Sequence, residues 1–342
     1  MSQQQYVPLH LHTEYSLLDG AIRTSQLCEF AKENNMPAVA ITDHGVMYGA
    51  LDLYIHAKDI GVKPLIGCEF YVTTGDIKDK TQNNREYFHL VLIAKNETGY
   101  KNLIKLVSIA QIDGFYYKPR INHELLKKYH DGLICLSACL NGEICQTLLK
   151  KSYKEAIDIA KFYKELFNDD YYLEIQDHGL PEQKRTNPDI IKIGKELGID
   201  IVITNDSHYL KKEDSNWHDT LLCIQTNSLK DDTNRFRFSN DEFYVKTVDE
   251  LRESFKWLDI DTFNEAIENT VKVADKCHLI IELGKSFLPP FDVPKPHNAE
   301  TYLDYLVHKG LKEKYGKIDE SLENRVRYEL GIINKMGFAP YF

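Results

Sequence analysis

The chain has 342 residues, with 42 Lys+Arg against 52 Asp+Glu and a formal net charge of −10. That length allows about two domains, or one large barrel with an appendage, and a hydrophobic content of 43% excludes wholesale disorder. The acidic balance argues against a broad basic surface for nonspecific nucleic-acid binding and leaves room only for a local site. No window approaches the roughly 20 apolar residues of a bilayer span, so no membrane association is expected, and Met-Ser-Gln-Gln-Gln-Tyr is no signal peptide. Seven cysteines in so long a chain read as free thiols in a reducing cytoplasm.

Taken in chain order, short apolar runs occupy 6–11, 38–42, 64–72, 88–94, 133–136, 171–175 and 201–204. Their length and Val/Ile/Leu/Tyr content predict buried parallel strands. Amphipathic stretches between them predict helices. Thr24 and Ser25 can cap one running to about Asn34, and others fall near 47–60, 98–111, 152–167 and 183–197, two of them closing on Gly61 and Gly198. Seven strands with intervening helices predict an α/β fold, a distorted seven-stranded βα barrel related to the eightfold one, with an open doubly wound sheet as the alternative. The stretch TTGDIKDKTQNNREY (73–87) breaks the rhythm and reads as an exposed, mobile excursion.

After residue 210 the pattern changes. A helix near 217–224 precedes RFRFSNDEFYVKT (235–247), which alternates like a β-hairpin with Ser239-Asn240-Asp241 at its turn. Helices follow near 248–257 and 263–276. LPPFDVPKP (288–296) reads as a linker, and helices near 299–315 and 319–336 follow it. The predicted domains are therefore 1–280, a barrel with the hairpin and helices, and 281–342, a linker and a fragment. The chain stops at Ala339-Pro340-Tyr341-Phe342 without a closing signal, which points to a piece of a longer protein. Residues 281–342 hold 9 Lys+Arg and 9 Asp+Glu, so the whole acidic excess lies in the first domain.

The predicted strand ends carry metal-ligand residue types. His10 and His12, two apart, share one strand face while Leu9 and Leu11 are expected to face the helices. Asp19 follows. Asp43 and His44 close the second strand, Glu69 lies in the third, and His89 opens the fourth. Cys139 follows the fifth, and Asp206 and His208 follow the seventh, repeating the His10/His12 geometry if the strand stays extended. Taken singly, each has a plainer explanation. His-x-His can be a surface or core pair, Cys139 a buried small hydrophobe, and His89 a satisfied core histidine. Their convergence from six strands on one barrel end is what points to a metal site. Imidazole, carboxylate and one thiolate suit zinc, manganese or iron, with magnesium a further option. Nine candidates exceed the needs of one ion and imply two or three, with Glu69 as the bridge. Asp43 is expected to orient His44, and His178 to edge the site. The remaining histidines, His218 among them, are read mostly as surface residues.

The series HLHTEYSLLDG (10–20), ITDHG (41–45), GCEFYV (67–72), FHLVLIAKN (88–96), SACLNGEI (137–144) and TNDSHYL (204–210) resembles the polymerase-and-histidinol-phosphatase (PHP) domain. With GYKNLIKLVS (99–108), GFYYKPRI (114–121), FLPPFDVP (287–294) and GIINKMGFAPYF (331–342), essentially the whole chain is similar to the amino-terminal part of bacterial replicative DNA polymerase III alpha subunits. The resemblance implies a trinuclear site. One ion would be held by His10, His12, Glu69 and Asp206, a second by Glu69, His89 and Cys139, and a third by Asp19, His44 and His208.

Divalent ions suit phosphoester hydrolysis by activating water and screening phosphate charge. The resemblance implies a 3′–5′ exonuclease acting on a DNA 3′ end or single strand, with Asp19, His44, Glu69, Asp206 and His208 carrying the chemistry. Lys118, Arg120 and Tyr116 in YYKPR are expected to hold phosphate and stack a base. It also implies a parent that is a DNA-directed DNA polymerase whose partners include the sliding clamp and a proofreading subunit. Residues beyond about 288 would be only the start of the palm, without the polymerase carboxylates. The alternatives are a small-molecule phosphatase of the histidinol-phosphate type and a non-catalytic, metal-stabilised scaffold.

Overall fold

Capping residues and apolar runs decide where the elements begin. The computed structural model describes residues 4–285 and 291–342. In chain order the elements are α1 (Thr24–Glu33), β1 (Ala38–Ile41), α2 (Ala50–Ile60), β2 (Lys63–Thr73), β3 (Phe88–Ala94), α3 (Glu97–Ile112), β4 (Phe115–Tyr116), β5 (Lys118–Asn122), α4 (His123–Tyr129), β6 (Leu133–Leu136), α5 (Glu143–Lys150), α6 (Tyr153–Phe167), β7 (Tyr171–Ile175), α7 (Pro181–Leu197), β8 (Ile201–Ile203), α8 (Ser215–Thr226), α9 (Val248–Ser254), α10 (Ile260–Lys276), α11 (Ala299–Tyr315) and α12 (Glu320–Lys335). Asn96 and Ser152 accept the backbone N–H groups that start α3 and α6. Gly61 and Gly198, both in the left-handed region, end α2 and α7 as their sequence positions predicted. The helices α4 and α5 were not anticipated.

The chain divides into two units, Met1–Ile281 and Glu282–Phe342. In the first, a mixed sheet runs β5-β2-β3-β6-β7-β8, with β1 on the same edge of β2 as β5. The segment before α1 joins the two ends of this sheet. Ala40 and Thr42 donate backbone N–H groups to Pro8 and Leu11 at 3.1 and 3.2 Å, while His12 donates to Ser207 at 2.8 Å and Ser207 to His10 at 3.3 Å. That segment, β1, β2, β3, β6, β7 and β8 are the seven staves of the curled sheet. The strands are not all parallel as predicted. β3 runs antiparallel to both β2 and β6, with Glu69 opposite Val91 and Leu92 opposite Cys135.

Alternation along the strands separates two cores. Val39, Ile41, Leu90, Leu92, Leu133, Cys135, Leu173 and Ile203 pack with the helical layer. Ala38, Ala40, Leu65, Val91, Ile93, Ile134, Leu136, Tyr172 and Val202 fill the sheet's concave side with Val7 and Leu9, where Val273, Ala274 and Cys277 of α10 join them. Leu9 and Leu11 therefore lie in different cores. The backbone bends at His10, so the expected shared orientation of the two leucines is lost.

Two further predictions change. Residues 74–87 are tied down rather than loose. The fully buried Arg120 guanidinium donates to the carbonyls of Gly114, Ile77 and Asp79 at 3.1 Å each and also to Asn84. The Asn84 amide holds the carbonyls of Asp76 and Asp79 from inside the loop. Residues 235–247 form no hairpin, because their backbone partners lie elsewhere. His208 donates to Phe243, Val245 to Leu210, and the Asn205 amide to Glu242 and Tyr244. The second unit is α11 packed on α12 through Leu303, Val307, Val326, Leu330 and Ile333, with Ala339. Residues 288–290 of the predicted linker lie outside the described residues.

Candidate metal centre

The concave face of the sheet becomes polar toward one end. On the row of Leu65 and Gly67 on β2 the next residue is Glu69, two beyond Gly67; two before Val91 on β3 comes His89; two beyond Tyr172 on β7 comes Glu174. The reversal of β3 explains His89. A residue at the start of a parallel strand would sit at the opposite end, whereas the antiparallel register sets His89 beside Tyr71, next to the carboxyl end of β2.

Glu69 is fully enclosed, and four imidazoles converge on it. Its Oε1 lies 3.2 Å from His10 Nε2 and 2.8 Å from His89 Nδ1; its Oε2 lies 2.6 Å from His44 Nδ1 and 3.8 Å from His12 Nε2. Asp206 Oδ1 is 3.0 Å from His12 Nε2 and 3.3 Å from His10 Nε2. On the outer side Asp19 Oδ2 is 3.3 Å from His44 Nε2, and Asp19 Oδ1 is 4.0 Å from His208 Nε2. Cys139 Sγ stands 3.6 Å from His89 Nδ1 and 3.9 Å from Glu69 Oε1. All nine predicted ligands thus meet in one place. His10, His12, Glu69 and Asp206 stand together, as do Glu69, His89 and Cys139. His44 offers one nitrogen to Asp19 and the other to Glu69, and it also groups with His12 and His208.

These separations are those of donors around an ion. Ligand atoms at about 2.0–2.1 Å from a tetrahedral ion sit roughly 3.3 Å from one another. Six buried atoms here crowd one another yet make no well-aligned hydrogen bond: His10 Nε2, His12 Nε2, His44 Nδ1, Asp19 Oδ1, Glu69 Oε2 and Asp206 Oδ1. Buried polar atoms are rarely left so, and the donor set fits divalent ions.

The backbone is shaped to bring the ligands in. Asp206 has φ of 42° and Ala138, before Cys139, has φ of 63°, both in the left-handed region that non-glycine residues avoid. The extended Asp206–His208 geometry predicted from spacing therefore does not form; β8 ends at Ile203 and the turn itself delivers both side chains. Gly142 permits the tight loop that carries Cys139, since a Cβ there would lie 2.2 Å from the Ser137 carbonyl.

A surrounding layer fixes the imidazoles. Glu174, buried on β7, faces His10 Nδ1 at 2.9 Å and accepts from Thr204 Oγ1 at 2.6 Å and Ala138 N–H at 2.8 Å. His10 is thereby held with Nε2 turned to the site. Glu174 was missed in the sequence; its signal was a carboxylate in the apolar strand YYLEI. Asp43 does not orient the His44 ring as predicted. It accepts from Thr13 N–H, Thr13 Oγ1 and Ser16 Oγ at 2.7–2.8 Å, and Ser16 Oγ in turn meets His12 Nδ1 at 3.2 Å. His208 Nδ1 donates to the Asp206 carbonyl, two residues back, at 2.8 Å. His218 is buried rather than superficial and donates from Nε2 to the Asp19 carbonyl at 2.7 Å. His178 edges the cavity with both nitrogens engaged, by the Asn205 carbonyl and the Gln183 amide.

Burial penalises every charge in the site, yet Glu69, Asp206 and His44 hold one another ionised. Burial pushes Glu69 up, but His89 and His44 outweigh it and keep the carboxyl well below its usual range. Against burial, Glu69 and Asp19 raise His44 to about 10. Burial, then the charges of His44 and His208, lowers His12 to about 3, leaving it neutral with a lone pair on Nε2. Burial, then Asp206 and Glu69, pushes the Cys139 thiol well up. Metal uptake by this set displaces protons.

Of the predicted substrate residues, Arg120 is excluded by its burial among four carbonyls. Tyr116 lies half-buried with that guanidinium 5.1 Å from its ring. Lys118 remains accessible, its Nζ 5.2 Å from the ring of Tyr71, which is 5.2 Å from His89.

Over its full length the chain is 42% identical to a DNA polymerase III subunit alpha of Treponema pallidum, and over 99% of it 41% identical to that of Borreliella burgdorferi. It spans only 29% and 30% of those relatives. A solved two-domain protein of Bacteroides vulgatus containing a predicted PHP-like metal-dependent phosphoesterase superposes with a TM-score of 0.40 at 12% identity, covering 82% of this chain and 72% of that one. The PHP domain model matches residues 8–178, the stretch that supplies seven of the nine converging ligands. The chain therefore belongs to the PHP domain family.

Proposed function

We propose that this chain is the amino-terminal, PHP-bearing part of a replicative DNA polymerase III alpha subunit, and that its metal centre hydrolyses phosphodiesters as a 3′–5′ exonuclease on DNA ends. The observation that carries the reading is the group of six buried ligand atoms around Glu69 that make no well-aligned hydrogen bond. Divalent ions in such a site supply Lewis acidity and water activation for phosphoester cleavage.

The chain's own residues do the rest. Glu69, shared between His10 and His89 on one oxygen and His44 on the other, would hold bound ions together with those histidines. Glu174, Ser16 and the Asp206 carbonyl hold His10, His12 and His208 each with Nε2 turned inward. Asp19, at the outer edge beside His44 and His208, is placed to meet an incoming phosphate's ion. Lys118 is the remaining candidate for phosphate contact beyond the ligands.

In the longer parent we place DNA polymerisation, with carboxylates outside this chain, and association with the sliding clamp and proofreading subunit in the cytoplasm; residues 282–342 would begin the palm. No helix among the described residues is long and apolar enough to cross a membrane. A second reading has its own support. The ligands tie together loops from six strands, so ions here would also serve as staples for a scaffold.

One experiment separates the two. The chain, loaded with Mn2+ or Zn2+, is incubated with a 3′-labelled single strand, a mismatched primer and a phosphate monoester. Stepwise shortening that His12→Ala abolishes supports the exonuclease. Bound metal without turnover, together with lost thermal stability on chelation, supports the scaffold. Fewer than two equivalents of metal under replete conditions would sink the multinuclear centre itself.

A further inference from the structure

A cavity of about 300 Å³ opens onto the metal centre, lined by Asp19, His44, His89, Cys139, Asp206 and His208 on one side. That volume suits a single small-molecule-sized moiety rather than a duplex. No Lys or Arg side chain lines it. Its other wall is aromatic: Phe236, Phe238 and Phe243.

These phenylalanines form a stair leading out from a ligand. Phe238 lies edge-on to His208 with ring centroids 4.9 Å apart, Phe243 packs on Phe238 at 4.4 Å, and Phe236 stands outermost, 6.0 Å from Phe238. Phe236 is 54% exposed although it borders a polar cavity. An apolar ring held there costs hydration and gains no packing unless something covers it. The segment that carries it is anchored. Arg235 makes a two-pronged contact with Asp219 of α8 at 2.6 Å through both nitrogens.

Resting on the phosphoesterase reading, we propose that Phe236 and Phe238 are the stacking platform for the nucleobase of the terminal nucleotide, so that the centre selects an unpaired, base-bearing strand end. Aromatic faces stack any base, and hydrogen-bond readout is not needed. A base paired at a duplex end brings its partner strand with it, which a cavity of about 300 Å³ does not admit, whereas the last base of a frayed or single-stranded end is free to enter alone. The platform therefore discriminates by unpairing rather than by sequence, and a phosphate ester without a ring gains nothing from it.

The test is equilibrium binding to the whole chain with Mn2+. The probe is a single strand with 2-aminopurine at its 3′ end and a phosphorothioate last linkage, compared with the same strand ending in an abasic sugar. The wild type should bind the base-bearing strand about tenfold more tightly than the abasic one, with quenching of the 2-aminopurine. Phe236→Ala should remove both the preference and the quenching at unchanged metal content, and Phe236→Trp should restore them. Equal binding of the two strands by the wild type, or a preference that survives Phe236→Ala, overturns the platform. If both strands bind equally well, only this proposal falls. If neither strand binds, the DNA-end reading fails and takes the platform with it.

Discussion

The concave side of the sheet holds two regions built on the same strands. In one, Leu65, Val91, Ile134, Leu136, Tyr172 and Val202 make a dry apolar layer. In the other, two residues from Gly67, Val91, Tyr172 and Val202 in the same inward-facing rows, stand Glu69, His89, Glu174 and Thr204. The first region lets apolar surface leave water. The second buries carboxylates among imidazoles, His44 charged and His12 neutral, and leaves six atoms without a well-aligned hydrogen bond. A step of two residues along a strand thus separates folding from chemistry, and substitutions in the two layers should have opposite signatures.

The largest contrast is expected at Glu69. Glu69→Gln removes the shared anion and should lower both bound metal and phosphodiester turnover by more than about 100-fold, beyond what outer-layer partners typically cause. Metal analysis and strand shortening would measure it, and an unchanged metal content would erase the distinction between the layers. Leu136→Ala in the apolar layer should instead cost about 2–5 kcal/mol of stability. Denaturant unfolding would register that loss while metal per folded molecule stays the same.

Glu174→Gln lies at the border. It keeps the side-chain shape but withdraws the charge from His10, and should weaken metal binding by roughly 10–100-fold with little change in stoichiometry. A competition titration with a chromophoric chelator reads the shift.

The last contrast is in pH. His44 in the metal-free protein keeps its proton up to about 10 and must surrender it to an ion. Apparent metal affinity should therefore rise with pH, by at most about tenfold per unit for each proton displaced, and level off near pH 10. Stability of the metal-free chain should move the other way. The raised His44 contributes fully below its ordinary value of 6.5 and is lost as pH climbs through about 10. Thermal melts with and without metal over pH 7–10 should diverge.

The ligand types and their positions were legible from the chain alone, because alternation and strand ends are local properties. Thus His10, His12, His44, His89, Cys139 and Asp206 could be picked out before any contact was known. Glu174 and His218 could not. One is a carboxylate in an apolar strand and the other a histidine on a helix, and only partners 164 and 199 residues away give them roles. Arg120 shows the reverse error. A basic residue beside tyrosines reads as a phosphate contact, but it is spent on loop carbonyls at positions 77, 79, 84 and 114.

By itself the sequence determined the apolar runs, most of the helices and the inventory of ligands, since these depend on residue type and short spacing. Tertiary structure decided the direction of β3, which brings His89 to the working end, and the left-handed turn at Asp206. It also decided the unpaired course of 235–247, which sets an aromatic wall on the metal cavity. Strand direction and turn conformation depend on which backbone groups find distant partners, and no local pattern records that choice.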